Sequence, residues 1–203
     1  LFAPLPYPDP GRLCFVLRNN PSGSNPSVSV PRFEFWRQHS KSFSQLAVYD
    51  DIGSGFNLTG DGRPERIVGS RVSHQFLSVL GVVPAIGRDL TPEDDKPGGR
   101  KVVLLSDGLW RRRFGGDPNL VGHTIRLNGD PTLVVGILPK SFDLPTESEI
   151  WVPLQEDAAS AADVNYLRLL GRLAKGATLE SASAEAVVLD KEFRRSIGDT
   201  EAN

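Results

Sequence analysis

Residues 102–139 read VVLLSDGLWRRRFGGDPNLVGHTIRLNGDPTLVVGILP, and the parsing of this stretch decides the fold. Val102–Leu105 is a short apolar run, suited to a buried strand. Ser106 can accept hydrogen bonds at a helix start, and Asp107 complements the positive helix end. Arg111, Arg112 and Arg113 fall in the last turn, where cations oppose the negative end. Gly115-Gly116 stops the helix. Thr124–Leu127 and Thr132–Leu138 alternate around Asn128-Gly129, a favoured two-residue hairpin turn. The stretch predicts strand, helix, stop and hairpin, and no group in it is arranged for catalysis.

Working towards the N-terminus, Thr91-Pro92-Glu93-Asp94 resembles a helix-starting capping box, and Lys96-Pro97-Gly98-Gly99 breaks the chain after it. Ser73 can cap a short helix carrying Phe76, Leu77 and Leu80. Residues 45–59 form a strand interrupted at Gly53-Ser54-Gly55, and Glu65–Val72 returns after the turn 60–64. Residues 30–40 predict a helix with Pro31 in its first turn. Arg12–Arg18 predicts a strand behind a proline-rich lead-in over residues 1–10. Towards the C-terminus, residues 149–154 and 166–173 are strands. Leu179, Ala182, Ala186, Leu189, Phe193 and Ile197 make one apolar stripe on a helix capped by Thr178. There is no regular βαβ alternation, so the fold class is α+β. The element order suggests one layered part, 1–85 plus 153–203, interrupted by a smaller β-rich part, 86–152.

The chain has 203 residues and a formal charge of -2, which gives no general attraction to nucleic acid. No run of about 18 apolar residues is present to span a membrane. It begins at Leu1 and contains no methionine, as expected of a segment of a longer protein. Cys14 is the single cysteine and reads as a buried strand residue before a reactive thiol. His39, His74 and His123 are scattered without metal-ligand spacing. Glu93-Asp94-Asp95 reads as a charged first turn before a cation site, and Asp50-Asp51 lacks the pattern of a calcium loop. There is no nucleophile elbow, phosphate-binding P-loop or dinucleotide fingerprint. Asn57-Leu58-Thr59 is a short match to a glycosylation acceptor. These absences argue against an enzyme, and no catalytic, cofactor or metal residue is assigned. Arg111–Arg113, beside Trp110 and Phe114, read as a helix ending that can face a partner protein, in preference to a phosphate site.

Several motifs fall in an order that resembles a known family. FLSVLGVVPAIGRDLTPEDD (76–95), the opening stretch, IWVPL (150–154) and YLRLLGRLAKGATLESASAEA (166–186) resemble the periplasmic core domain of MacB-type ABC transporter permeases, most closely their acidobacterial-type branch. The resemblance implies a porter-like α+β part built from both chain ends, with a smaller β-rich insertion. It implies a place outside the cytoplasmic membrane, between two transmembrane helices of the same permease. ATP would be hydrolysed by a separate subunit or domain, and partners would include a periplasmic adaptor. No residue here matches the surface loops that contact adaptors. Two rival readings stay open: a ligand-binding module with a cleft between its parts, and a hydrolase with a dispersed site.

Overall fold

The computed structural model describes residues 7–20, 23–25, 27–50, 54–60, 62–156 and 164–198. Its strands are β1 (Leu13–Val16), β2 (Arg18–Asn20), β3 (Gly23–Asn25), β4 (Ser27–Val28), β5 (Phe43–Asp50), β6 (Ser54–Thr59), β7 (Glu65–Val72), β8 (Ile86–Gly87), β9 (Val102–Leu105), β10 (Thr124–Leu127), β11 (Asp130–Ile137), β12 (Ile150–Pro153) and β13 (Leu167–Leu173). The helices are α1 (Val30–His39), α2 (Phe76–Leu80), α3 (Asp107–Phe114) and α4 (Leu179–Ser196). The mixture is α+β, as the order of elements implied.

The chain divides into two compact units. Unit 1 holds Leu1–Val48, Ser78–Gly81 and Asp157–Asn203, and unit 2 holds Tyr49–Leu77 and Val82–Glu156. Residues 49–77, assigned from sequence to the part made of the chain ends, therefore group with the middle of the chain. The reason is strand pairing: β7 pairs with β6 on one side and with β12 on the other.

In unit 1, β13 lies between β1 and β5, and β4 also pairs with β13. Gly171 on β13 leaves room for the Phe43 ring, whose carbon lies 2.5 Å from where a Cβ would sit. Helix α1 starts where the Ser29 side chain accepts the Arg32 amide at 3.3 Å. It buries Val30, Phe33 and Trp36. Helix α4 begins with a reciprocal capping box between Thr178 and Ser181. It packs along α1, where Phe35 meets Phe193 edge-on at 5.7 Å. The predicted stripe is buried in its middle, at Ala182, Leu189 and Phe193, while Leu179 and Ile197 are exposed. An 18-residue helix outreaches a 10-residue partner, so the stripe ends find nothing on α1 to cover them. Two polar ties fix the pair. Arg32 binds Asp190 and lies 4.4 Å from the Phe193 ring centre. Glu185 accepts the backbone amides of Lys41 and Ser42 at 2.7 and 2.8 Å.

Unit 2 is built on a closed ring of six strands in the order β6-β7-β12-β9-β11-β10, with β10 pairing back to β6. Pairing is parallel for β7–β12 and β9–β11 and antiparallel at the other joints. A barrel closed in this way has no free edge within the ring. Phe56, Leu58, Ile67, Val103, Leu105, Ile125, Leu127, Val134, Ile137 and Ile150 form its core together with Leu109 and Trp110 of α3. Gly69 permits this packing, because a Cβ there would lie 2.5 Å from Ile150 and 2.8 Å from the Phe56 ring. A register shift in β11 between Val134 and Gly136 accommodates the curvature. A second aromatic group of unit 2 joins Tyr49, Phe76, Phe142 and Trp151, and the Trp151 indole donates to the Leu144 carbonyl at 2.9 Å.

The decisive stretch folds as read. Ser106 accepts the Leu109 amide at 3.0 Å, and Gly115 ends α3 with a positive φ of 64°. Asn128 and Gly129 take φ values of 54° and 86°, the turn that hairpins favour. The capping box at Thr91 also forms: Thr91 N–H donates to Asp94 at 2.9 Å, and Asp94 N–H returns to the Thr91 hydroxyl at 3.2 Å. It opens only a turn, not the expected helix. Pro97 and Gly98, at φ 72°, prevent continuation.

Candidate functional site

The three arginines of α3 are placed by one short helix but have different surroundings. Arg112 bridges two carboxylates, Glu149 at 2.6 Å and Glu65 at 2.7 Å. These bonds hold its guanidinium protonated more firmly than usual: the Glu149 hydrogen bond is the largest influence, and partial burial opposes it. Arg113 donates to the Arg63 carbonyl at 3.2 Å, over the turn before β7. Arg111 is the most open of the three; it pairs with Asp107 at 2.9 Å and covers the Trp110 ring at 5.2 Å. Two of the three are thus joined to the β6–β7 turn or to the residues that open β7 and β12, so this basic cluster is tied into unit 2. The Trp110 indole faces inward and donates to the Asp117 carbonyl at 2.9 Å.

Helix α3 covers one end of the ring. Strand β9 runs towards it, from Val102 to Leu105, and Arg112 ties it to the start of β7 and the residue before β12. At the other end, where β9 begins and β7 and β12 finish, a cleft of about 160 Å³ remains. All six ring strands or their flanks line it. Phe56, Val102, Leu127, Val152 and Pro153 supply an apolar floor. Arg71, Lys101, Asn128, Asp130, Thr132 and Gln155 supply the polar rim.

The rim groups are largely committed. Lys101 and Asp130 pair with each other at 2.5 Å. The Asn128 side-chain oxygen accepts the Asn57 amide at 2.8 Å, fastening the hairpin tip to β6. Gln155 donates to the Asp94 carbonyl at 2.8 Å and the Arg100 carbonyl at 3.2 Å. Thr132 is buried and donates to the Asp130 carbonyl. Arg71 is exposed and has no ion pair or hydrogen bond from its side chain among the described residues.

A polar hub lies beside the cleft. Asp95 accepts the His74 amide at 2.8 Å and the Gln155 amide at 3.0 Å, and lies 3.2 Å from His74 Nδ1. Asp94 binds Arg88 at 2.6 Å. Burial pushes the Asp89 carboxyl up to about 6, against the Leu90 amide and the charges of His74 and Arg88. The acidic run predicted as a first turn is therefore a local fastening between loops.

The remaining sequence candidates have structural partners. Burial pushes the Cys14 thiol up, away from reactive thiolate, and its sulfur lies 3.7 Å from the Gly171 carbonyl. His39 bonds the Phe35 carbonyl at 2.8 Å, and His123 bonds the Asn119 carbonyl at 2.6 Å. No group of three or more His, Cys, Asp or Glu side chains is placed to hold a metal ion among the described residues. Asn57 sits in β6 between β7 and β10. Asp51 lies outside the described residues. The cleft was not foreseen, because its lining comes from six strands whose ring closure has no local sequence signal.

The family model described as the MacB-like periplasmic core domain matches residues 3–189, and the chain belongs to this family. It is 25% identical over 188 residues to the macrolide export ATP-binding/permease protein MacB of Chlorobium luteolum, covering 86% of this chain and 27% of that protein. The chain thus spans about a quarter of the length of that relative. Three solved structures share the fold. The periplasmic region of MacB from Actinobacillus actinomycetemcomitans aligns with a TM-score of 0.68 at 15% identity, over 89% of this chain and 83% of that one. A domain of a permease protein from Porphyromonas gingivalis gives 0.70 at 18%, over 97% and 89%. The extracellular domain of the noncanonic ABC-type transporter YknZ from Gram-positive bacteria gives 0.64 at 17%, over 94% and 95%.

Proposed function

We propose that this chain is the non-catalytic extracytoplasmic domain of a MacB-type ABC permease, and that it passes motion between membrane helices and partners or substrate outside the membrane. The observation that carries the reading is the family match across residues 3–189. No helix among the described residues is long and apolar enough to cross a membrane. The membrane helices would therefore lie elsewhere in the permease. ATP hydrolysis would belong to a separate subunit or domain on the cytoplasmic side, and efflux is the transport mode the named relative suggests. Two compact units suit a part that works by rigid-body shifts. Arg111, the most open of the three arginines, is the first candidate for contact with a periplasmic adaptor, with Arg112 and Arg113 behind it.

The test uses the full-length permease with its ATP-binding partner in membrane vesicles. Replacing this domain by a short flexible linker should leave at least half of the ATP hydrolysis and reduce transport to background. Transport that survives the replacement would overturn the reading. Arg111→Glu should weaken adaptor capture while leaving ATP hydrolysis unchanged.

A further inference from the structure

The open end of the ring in unit 2 is a small cleft whose polar rim stands over largely buried apolar side chains. Helix α3 closes the opposite end with Leu109 and Trp110, whereas here the apolar floor of Phe56, Val102 and Leu127 lies beneath a cleft of about 160 Å³. Mouths of small barrels are recurrent ligand sites, because strands converge there while their side chains stop filling the interior.

Charge selects the ligand. Lys101 and Asp130 neutralise each other across the rim. Asn128, Thr132 and Gln155 already make hydrogen bonds that hold the mouth in shape. Arg71 is left as the one lining cation without an ion pair among the described residues. A guanidinium binds a carboxylate through two parallel hydrogen bonds, and the planar fork matches that anion in shape and charge. With Lys101 already paired to Asp130, the rim offers one uncompensated positive charge, which a single carboxylate balances. An apolar body could then cover Phe56, Val102 and Val152.

We propose that this mouth binds small organic monoanions, an apolar body carrying one carboxylate, with Arg71 as the anion anchor. The assignment rests on unit 2 alone and does not depend on the transport role. It is distinct from a cleft between the two parts of the chain.

The test is a titration of the whole chain, followed by amide chemical shifts, with benzoate, its neutral isostere benzamide, and phenyl phosphate. Benzoate should bind saturably and shift the amides of Phe56, Arg71, Val102 and Gln155. Benzamide should bind at least tenfold more weakly, and phenyl phosphate should bind no more tightly than benzoate. Arg71→Gln should weaken benzoate at least tenfold, Arg71→Lys should weaken it less, and Arg126→Gln, on an exposed arginine outside the cleft, should change nothing. The unliganded spectra of the variants verify that each remains folded. Equal binding of benzoate and benzamide overturns the proposal, as does tighter binding of phenyl phosphate. Benzoate shifts scattered over surface arginines, or unchanged in Arg71→Gln, also overturn it.

Discussion

The two units of this chain handle strand edges differently. Unit 2 closes its sheet into a ring, so six strands share one interior with Leu109 and Trp110 as a lid. Unit 1 leaves β1 at the edge of its sheet, with Phe15 and the following Leu17 about half exposed, and relies on α1 and α4 packed against each other. The difference predicts where the molecule tolerates change. A ring transmits any volume error to every strand, because interiors pack at crystal density. A helix pair beside an open sheet has room to give. Four experiments probe this contrast.

The largest effects should come from two buried tryptophans, Trp151 in unit 2 and Trp36 in unit 1, each no more than 1% exposed. Truncating either to alanine should cost about 3–5 kcal/mol. The two should still differ. The Trp151 indole donates to the Leu144 carbonyl, whereas the Trp36 Nε1 is buried with no hydrogen-bond partner among the described residues. Replacement by phenylalanine separates the cases: Trp151→Phe should cost about 1 kcal/mol more than Trp36→Phe in denaturant unfolding. Equal losses would mean that the hydrogen bond contributes nothing to the contrast.

Two glycines carry the next test. Gly69→Ala drives a methyl between Ile150 and Phe56, both buried and both on ring strands. Gly171→Ala drives one against Phe43 and, at 3.3 Å, Leu46, on a sheet that ends in the open edge strand β1. Overpacking typically costs about 1–3 kcal/mol. Gly69→Ala should fall at the upper end and Gly171→Ala at the lower. The reverse order would show that unit 1 is the more rigid body.

How much of this was legible in sequence follows the range of the interactions. Ser106, Gly115, Asn128-Gly129 and Thr178 act on neighbours within a few residues, and each was readable because its chemistry is local. The hairpin β10–β11 was readable for the same reason. The joints β6–β10, β7–β12 and β9–β12 were not, because they join segments far apart in the chain whose apolar patterns fit several partners. Residues 49–77 group with residues 82–156 through these joints. The mouth cleft inherits the same blindness: Arg71 and Lys101 look like ordinary surface cations until the ring brings them to one rim. The arginines of α3 were legible as a helix ending, but the carboxylates holding Arg112, Glu65 and Glu149, come from other elements.

Helix caps give a smaller and more even effect. Thr178→Ala in unit 1 and Ser106→Ala in unit 2 should each cost about 1 kcal/mol. Hydrogen exchange should locate the first loss in α4 and the second in α3. Protection that falls throughout the chain in both variants would mean that the units open together and that the contrast between them has no energetic counterpart.

The last effect concerns pH and has opposite signs in the two units. In unit 1, burial raises the Glu185 pKa, but the amides of Lys41 and Ser42 and the Ser40 hydroxyl outweigh it and leave the carboxyl below its ordinary value. An acid with a lowered folded pKa stabilises above its unfolded pKa, and that contribution is lost as pH falls through the folded value. In unit 2, burial holds Asp89 at about 6, above its ordinary 3.8. Here the ionised form is penalised in the folded state, so stability rises as pH falls from about 6 towards 4 and is level below that. Asp89→Asn keeps an oxygen for the Leu90 amide and removes the charge, so it should raise stability at pH 7 and abolish the gain between pH 6 and 4. Glu185→Gln should lower stability at pH 7 and lessen the loss at acid pH. Amide exchange across pH 4 to 7, read separately for residues 82–105 and 179–196, checks both. A wild-type protein whose residues 82–105 gain no protection on acidification would remove Asp89 from the argument and leave the ring indifferent to pH.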